Sequence, residues 1–194
     1  TGPHDRPLRK YPEVAMTTDA DTVSGYKGYR VSTSNDNSND INVNVWRIFN
    51  GLTGNEGWVT DGSLYDGLND FLYSGTSTLG GVPGEWVKLE LPTKIRLSQI
   101  VMTARDLLSE QYPEDFQILG SNDDSNWTQL LNVVGAPFTQ GSTLTFNVTG
   151  DVEHFKYLAV IVTRTVGHSA ASISELEYYG HEEGSGSLDT TLKS

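Results

Sequence analysis

Residues 85–91 read Glu85-Trp86-Val87-Lys88-Leu89-Glu90-Leu91, so that apolar and polar side chains alternate along the segment. An alternation with a period of two is typical of a β-strand that buries one face. Further short apolar runs, separated by Gly, Asn, Asp, Ser and Pro, occur at 116–121, 126–130, 144–148, 157–162 and 173–180. Short strands at such spacing predict an all-β fold, an antiparallel β-sandwich whose loops gather at its two ends.

Four segments, in the order in which they occur, carry a resemblance to a known family. They are Phe49-Asn50-Gly51 with Trp58-Val59-Thr60, the run 86–91, the run 113–127 with Phe116-Gln117-Ile118-Leu119-Gly120-Ser121 inside it, and Ile173-Ser174-Glu175-Leu176-Glu177-Tyr178-Tyr179-Gly180. Through them, roughly residues 11–180 resemble the discoidin family, also called coagulation factor V/VIII type C domains, and the related galactose-binding-like carbohydrate-binding modules. The resemblance implies a jelly-roll sandwich, and it says less about the ligand because this fold hosts many recognition functions.

The length of 194 residues suits one sandwich with flanking segments. We predict an extended N-terminal arm over residues 1–10, a discoidin-like sandwich over 11–180, and a flexible linker and tail over 181–194. The arm combines Gly, Pro and mixed charge, and the segment after residue 180 is rich in Gly, Ser and Glu, as flexible linkers are.

Composition and charge disfavour several classes of partner. The formal net charge of −12 works against nucleic acid and against anionic membrane surfaces, because both attract basic patches. No segment has the apolar length of a membrane span, so we expect no membrane insertion. The chain has no cysteine, which fits a cytosolic, viral or bacterial product better than a disulfide-rich secreted animal domain.

The family resemblance implies a structural calcium ion between the loop after Phe49 and the last strand. The matching oxygen donors are the carbonyls of Phe49 and Leu52 and the side chains of Asn50, Asn55 or Glu56, and Glu175. Calcium accepts carboxylate, amide and main-chain oxygens together. Asn50 stands where the family has Asp, which removes one negative charge that Glu56 would restore. In the alternative, Asn50 forms an Asx turn with Gly51, and Glu175 is only a polar strand residue.

Two residues are candidates for contacting a ligand directly. Arg105 follows the apolar run 100–104, where related sugar-binding modules often carry an arginine that reaches ligand hydroxyls. A guanidinium presents several fixed donors, which suits vicinal hydroxyls; an internal Arg105–Asp106 ion pair is the alternative. The family's polar residue a few positions later has its nearest counterpart in Glu110. His168 lies in the loop before the last strand, which borders the ligand face in this family.

Residues 59–85 form a longer excursion than the family usually has, and long loops in compact domains are often functional. The excursion carries Tyr65 and Tyr73, which we predict to be ligand-binding residues whose rings stack on a sugar. In the alternative, these aromatic side chains fold back and cap the end of the barrel. Trp86 and Trp127 lie in strand-like runs that match the family's framework, so we predict that both are core residues.

The segment Gly167-His168-Ser169-Ala170-Ala171 resembles a nucleophile elbow only superficially. That motif requires a strand–turn–helix context and a histidine downstream, and here the one downstream histidine is His181, in the predicted linker. The four histidines match no zinc motif. We therefore predict a protein that is not an enzyme.

The sequence favours a non-catalytic, lectin-like carbohydrate-binding module that recognises cell-surface or particle-surface glycans through the loops at one end. We expect it on an extracellular or particle surface, although residues 1–20 contain no signal-peptide core. Two alternatives remain open. One is a structural protein of a virion or appendage that contacts protein partners through its arm and tail, and the other is an accessory domain of a carbohydrate-active enzyme.

Overall fold

The computed structural model describes residues 5–17, 22–23, 26–37, 40, 43–150 and 153–184. The predictions about residues 1–4 and 185–194 lie outside these ranges. The strands are β1 Arg9–Tyr11, β2 Thr22–Val23, β3 Tyr26–Lys27, β4 Arg30–Thr33, β5 Trp58–Val59, β6 Tyr65–Asp66, β7 Leu72–Tyr73, β8 Thr78–Leu79, β9 Val82–Pro83, β10 Glu85–Thr103, β11 Pro113–Ser121, β12 Thr128–Val133, β13 Thr143–Asn147, β14 Phe155–Thr165, β15 Ser172–Ile173 and β16 Glu175–Glu182. Within the described ranges, Val45–Phe49 and Gly67–Asn69 form short 3-10 helices.

The long strand β10 belongs to both layers of the fold. Its first part, before Pro92, pairs with β4 on one side and β14 on the other, and β14 continues to β11 and β12. Its second part, from Ile95 onward, pairs with β16 and β13, and β16 continues to β1. All of these pairings are antiparallel. The predicted all-β antiparallel sandwich is confirmed.

The alternation that predicted β10 also decides which side chains enter the core. Val87 and Leu89 point inward and are buried, whereas Trp86 lies on the opposite face and is only half-buried. Trp127 is half-buried too, so the prediction that Trp86 and Trp127 are core residues is wrong. The fully buried tryptophan is Trp58, whose indole N–H donates to the Asn35 carbonyl at 2.8 Å.

The fold extends past both predicted bounds of the sandwich. The strand β1 pairs with the end of β16, the Arg6 N–H donates to the Glu182 carbonyl at 2.8 Å, and Asp5 forms a bridge with Glu183. Residues 5–10, which were assigned to an N-terminal arm, thus add to the edge of the sheet. No helix in the described part of the chain has the length and apolar character that a membrane crossing requires.

Strand directions place the connecting loops at two opposite ends. The strand β11 starts after loop 104–112 and ends before loop 122–127, while its antiparallel neighbour β14 runs the other way. We call the first of these the Arg105 end. Loops 50–57, 104–112 and 166–171 meet there, since the Asp106 N–H donates to the Gly54 carbonyl at 2.8 Å and the Gly167 N–H to the Glu110 carbonyl at 3.0 Å.

Candidate functional site

Arg105 is held in one orientation at the point where β10 ends. Its Nε donates to the Asn55 carbonyl at 2.7 Å, and its Nη1 donates to Gln111 Oε1 at 3.2 Å. The side chain is only 7% exposed, so the guanidinium is fixed before any ligand arrives. Burial lowers the pKa of Arg105, and the negative charge of Asp40 raises it. The group stays charged, because arginine ordinarily titrates above pH 12.

An open polar cleft of about 400 Å³ surrounds this guanidinium. Its lining residues come from three separate parts of the chain: Asp40, Thr53, Asn55, Glu56 and Arg105. The carboxylate of Glu56 forms an ion pair with Arg47, with 2.7 Å between Oε2 and Nη1. Leu52 and Leu108 are exposed on the loops 50–57 and 104–112 that build the cleft.

The cleft combines the donors of a guanidinium and an amide with the acceptors of two carboxylates and a hydroxyl. Neighbouring hydroxyl groups on one ligand each donate and accept, so they match such an alternation of donors and acceptors. The exposed leucines add apolar surface at the same end. Chemically, the cleft suits a small polyhydroxylated molecule.

The structure brings together some of the predicted site residues and separates others. Arg105, Asn55 and Glu56 share the cleft, although Asn55 and Glu56 were predicted as metal ligands. His168 is half-buried in the neighbouring loop and does not belong to the cleft lining that the described residues form. Its Nδ1 accepts the Ala170 N–H at 3.0 Å, so one ring nitrogen is engaged inside its own loop.

The predicted stacking role of Tyr65 and Tyr73 is corrected by the structure. Tyr65 is 1% exposed and Tyr73 is 9% exposed, so neither presents a ring face to solvent. The Tyr65 hydroxyl donates to the Val162 carbonyl at 2.9 Å, and the Tyr73 hydroxyl donates to Glu85. The alternative, in which the excursion folds back onto the sandwich, is the one that the structure adopts.

Sequence reasoning missed three residues of the cleft region. Asp40 and Thr53 line the cleft, and Gln111 orients Arg105 through its amide. Glu110 was matched to the family's polar residue, but its side chain is a carboxylate. Gln111, the next residue, supplies an amide instead. Asp40 ends a polar stretch of sequence, 32–40, but nothing in the sequence relates that stretch to Arg105, which lies 65 positions after Asp40.

The family model of the F5/8 type C domain matches residues 50–176. The chain belongs to the F5/8 type C domain family. No curated protein sequence matches it. An F5/8 type C domain from Bacteroides fragilis superposes with a TM-score of 0.59 at 14% identity, covering 79% of this chain and 92% of that one.

Two further solved structures resemble this F5/8 type C domain and contain sugars. A family 32 carbohydrate-binding module from Clostridium perfringens, in complex with GalNAc-β-1,3-galactose, has a TM-score of 0.57 at 14% identity and covers 77% of this chain and 94% of that one. Chitosan-binding module 2 from Paenibacillus sp., in complex with chitotriose, has a TM-score of 0.56 at 18% identity, with 79% and 97% covered. At these identities the likeness shows the fold.

Glu175 is the feature of this F5/8 type C domain that best fits a cation. Its carboxyl group is buried and accepts the Gly51 N–H, but Oε2 has no hydrogen-bond partner among the described residues. Burial raises the pKa of Glu175 to about 9, against the opposing effect of the Gly51 hydrogen bond. A buried carboxylate oxygen without a donor is costly, and a bound cation would remove that cost.

Two of the other predicted calcium ligands, Asn50 and the Phe49 carbonyl, already have partners inside the protein. Asn50 Oδ1 accepts the Leu52 N–H at 2.9 Å, which is the Asx turn of the alternative interpretation, and the Phe49 carbonyl accepts the Met16 N–H at 3.0 Å. The described residues contain no group of three or more His, Cys, Asp or Glu side chains placed to hold a metal. The donor set therefore fits calcium only as one carboxylate combined with amide and main-chain oxygens, which calcium accepts.

Ser169 and His181 lie far apart. Ser169 is in loop 166–171 at the Arg105 end, where its carbonyl accepts the Tyr65 N–H at 3.1 Å. His181 lies near the end of β16, at the opposite end of the sandwich, and its Nδ1 contacts the Arg6 carbonyl at 2.8 Å. The one histidine downstream of Ser169 is thus not its base.

Proposed function

We propose that this F5/8 type C domain is a non-catalytic carbohydrate-binding module that recognises glycans of a cell or particle surface in the Arg105 cleft. The observation that carries the proposal is the fixed guanidinium of Arg105 in an open polar cleft opposite Asp40 and Glu56. Hydroxyl recognition requires donors and acceptors that are oriented before binding. The sugar complexes of two similar structures support the same chemistry.

The proposal includes a structural calcium ion at Glu175 and the loop that starts at Asn50. This loop continues into Thr53, Asn55 and Glu56, which line the cleft. The carboxylate would bind the ion through Oε2, and amide and main-chain oxygens of the loop would complete the coordination. The ion would thereby fix the loop that forms one wall of the cleft.

Binding of sugars by folded variants tests the proposal. Galactose, GalNAc-β-1,3-galactose and chitotriose are titrated calorimetrically, and a glycan array extends the search to other oligosaccharides. Losing a hydrogen bond to a charged group costs about 1.5–3 kcal/mol, so Arg105→Ala is expected to weaken binding by about tenfold or more. Because Arg105 also holds its loop, Asn55→Ala is the second variant; it removes the side chain and keeps the carbonyl that orients Arg105.

Lys94→Ala is the matched control, because Lys94 is exposed on β10 and remote from the cleft. We expect wild-type binding from this variant and wild-type melting temperatures from it and from Asn55→Ala. Sugar binding that survives both cleft variants unchanged, or a wild-type protein that binds no glycan on the array, would contradict the proposal. A concentration-dependent oligomer would then favour the assembly alternative.

A further inference from the structure

The outer face of the first layer carries polar side chains in two adjacent rows. The strand register places Glu90 opposite Arg30 on one side and Tyr157 on the other, and it places Lys88 opposite Ser32 and Ala159. Cross-strand neighbours project to the same face of a sheet. These residues therefore share the face that points away from Val87 and Leu89 in the core.

The excursion covers only part of this outer face. Its β8–β9 hairpin lies against the sheet so closely that a Cβ on Gly84 would be 2.6 Å from Ile161 Cγ1, and one on Gly80 would be 2.7 Å from Trp127 Cβ. Ile161 and Ala159 are accordingly fully buried although they are on the outer side. The uncovered part is an open groove of about 460 Å³, lined by Arg30, Val31, Ser32, Lys88, Glu90, Asp124 and Tyr157.

Four polar side chains of the groove are fixed in two pairs. Lys88 Nζ contacts Asp124 Oδ1 at 2.8 Å, and the Tyr157 hydroxyl donates to Glu90 Oε1 at 2.9 Å. Arg30 Nε lies 3.6 Å from Glu90 Oε2, and its side chain is 68% exposed, so most of the guanidinium faces the groove and solvent. Groups that are already positioned lose little freedom on binding.

The loop that presents Asp124 is itself rigidly built. Asp123 Oδ1 accepts the N–H groups of Ser125 at 3.0 Å and Asn126 at 2.8 Å, and these hydrogen bonds hold the pKa of Asp123 well below its usual range. Asn122 Nδ2 donates to the His154 carbonyl at 3.0 Å, which ties the loop to the start of β14. The loop that forms this wall of the groove is therefore held against the sheet.

The charges of the groove select a class of ligand. Two cations, Arg30 and Lys88, face two anions, Glu90 and Asp124, so the lining is neutral as a whole. A polyanion would need an excess of basic groups, which the described residues of the groove lining do not provide. Alternating donors and acceptors suit hydroxyl groups, and Tyr157, which packs against Trp127 with ring centroids 6.5 Å apart, adds aromatic surface.

We propose that this groove is a second saccharide-binding site, specific for neutral sugars and independent of the Arg105 cleft. The strand β11 begins at the Arg105 end and finishes beside the loop that carries Asp124. Eight steps of about 3.3 Å along this strand separate the two ends by roughly 26 Å. One domain would thus bind two glycan chains, or two distant parts of one chain.

Amide chemical shifts distinguish the two sites in a single experiment. The ¹⁵N-labelled protein is titrated with GalNAc-β-1,3-galactose, with chitotriose and with the strongest neutral oligosaccharide from the array. We expect the amides of Ser32, Lys88 and Asp124 to shift with their own binding curve. Ser32→Tyr, which fills the groove from an exposed position, is expected to abolish these shifts and to leave those of Thr53 and Asn55 unchanged.

Arg30→Ala removes an exposed charge without disturbing the core and is expected to weaken groove binding by about tenfold, as loss of a charge-assisted hydrogen bond does. Lys94→Ala is the matched charge-removal control and is expected to change neither site.

Two results would overturn the proposal. In one, the groove amides show no chemical-shift change with any of the three sugars. In the other, the groove shifts disappear in Asn55→Ala. A groove that responds to an oligogalacturonate but to no neutral sugar would refute the ligand class. If the chemical shifts of the groove amides change and those of the cleft amides do not, only the proposed function is refuted.

Discussion

Two buried glutamates, Glu85 and Glu175, serve two regions of the molecule in opposite ways. Glu85 anchors the excursion 59–85, and both of its oxygens have donors, the Tyr73 hydroxyl and the Ser77 hydroxyl at 3.0 Å. Glu175 faces the loop after Phe49, accepts the Gly51 N–H, and keeps Oε2 without a partner among the described residues. The excursion thus supplies its own donors, whereas the loop of the Arg105 end leaves one carboxylate oxygen without a donor among the described residues.

The difference explains why the longer loop does not present its aromatic rings to solvent. The rings of Tyr65 and Tyr73 pack with their centroids 5.2 Å apart, and both hydroxyls are bonded inside the protein. The shorter loops 50–57 and 104–112 present polar side chains to an open cleft instead. Anchoring by buried side chains, rather than loop length, decides which loop presents side chains to solvent.

The largest expected effect is on stability, and it comes from the excursion. Tyr65→Ala removes a fully buried ring and its hydrogen bond to Val162, so we expect the free energy of unfolding to fall by about 3–5 kcal/mol, as for other large aromatic truncations. Urea denaturation followed by tryptophan fluorescence measures the change.

Leu108→Ala is the control for this experiment, because Leu108 is an apolar side chain that is 84% exposed on loop 104–112. We expect its free energy of unfolding to stay within about 0.5 kcal/mol of the wild type. A Tyr65→Ala protein with wild-type stability but without sugar binding would mean that the roles of the two regions are exchanged.

The next largest expected effect is on the melting temperature, and it comes from the proposed calcium site at the Arg105 end. If calcium binds only the folded protein at Glu175, a concentration 100 times its dissociation constant adds about 2.7 kcal/mol of stability. For a chain of this length that corresponds to a rise in melting temperature of about 5–10 °C. Differential scanning fluorimetry with calcium and with a chelator measures the rise, and Glu175→Gln is expected to abolish it.

Glu177→Gln is the matched variant on the same strand, because Glu177 is half-buried and contacts Lys10 at 3.6 Å. It is expected to keep the full response to calcium. An identical melting temperature with calcium and with chelator in the wild type would remove the metal from the proposal. Glu175 would then be a buried acid that stays protonated at neutral pH, as its raised pKa allows.

The smallest expected effect is on stability, and it comes from the hydrogen bond between Tyr73 and Glu85 that holds the excursion. Tyr73→Phe keeps the ring but removes the donor to Glu85, and leaving a buried acceptor unsatisfied costs about 1–3 kcal/mol. Binding in the Arg105 cleft is expected to be unchanged. The double variant Tyr73→Phe with Glu85→Gln completes a double-mutant cycle. If the changes in the free energy of unfolding of the two single variants add up to that of the double variant, the contact does not anchor the excursion.

Strands and their burial were predictable because they depend on local periodicity. The alternation in 85–91 predicted β10, the apolar run 157–162 predicted β14, and the framework segments predicted β11 and β16. The same local evidence failed for Trp86, since alternation places it on the outer face with Lys88, and for Trp127, which lies beside the sheet rather than in it. A match to a family framework says that a tryptophan recurs, but the register decides which face it occupies.

The sequence by itself determined the class of the fold and its antiparallel strands, because periodicity and turn residues are local signals, whereas the role of Arg105 was predicted from the family resemblance. Only the tertiary structure decided that Asp40 and Thr53 join Arg105, that Tyr65 and Tyr73 turn inward, and that Asp124 and Arg30 border one groove. These outcomes depend on contacts between residues that are far apart in the chain. Such contacts form when the whole sandwich closes, and no short segment encodes them.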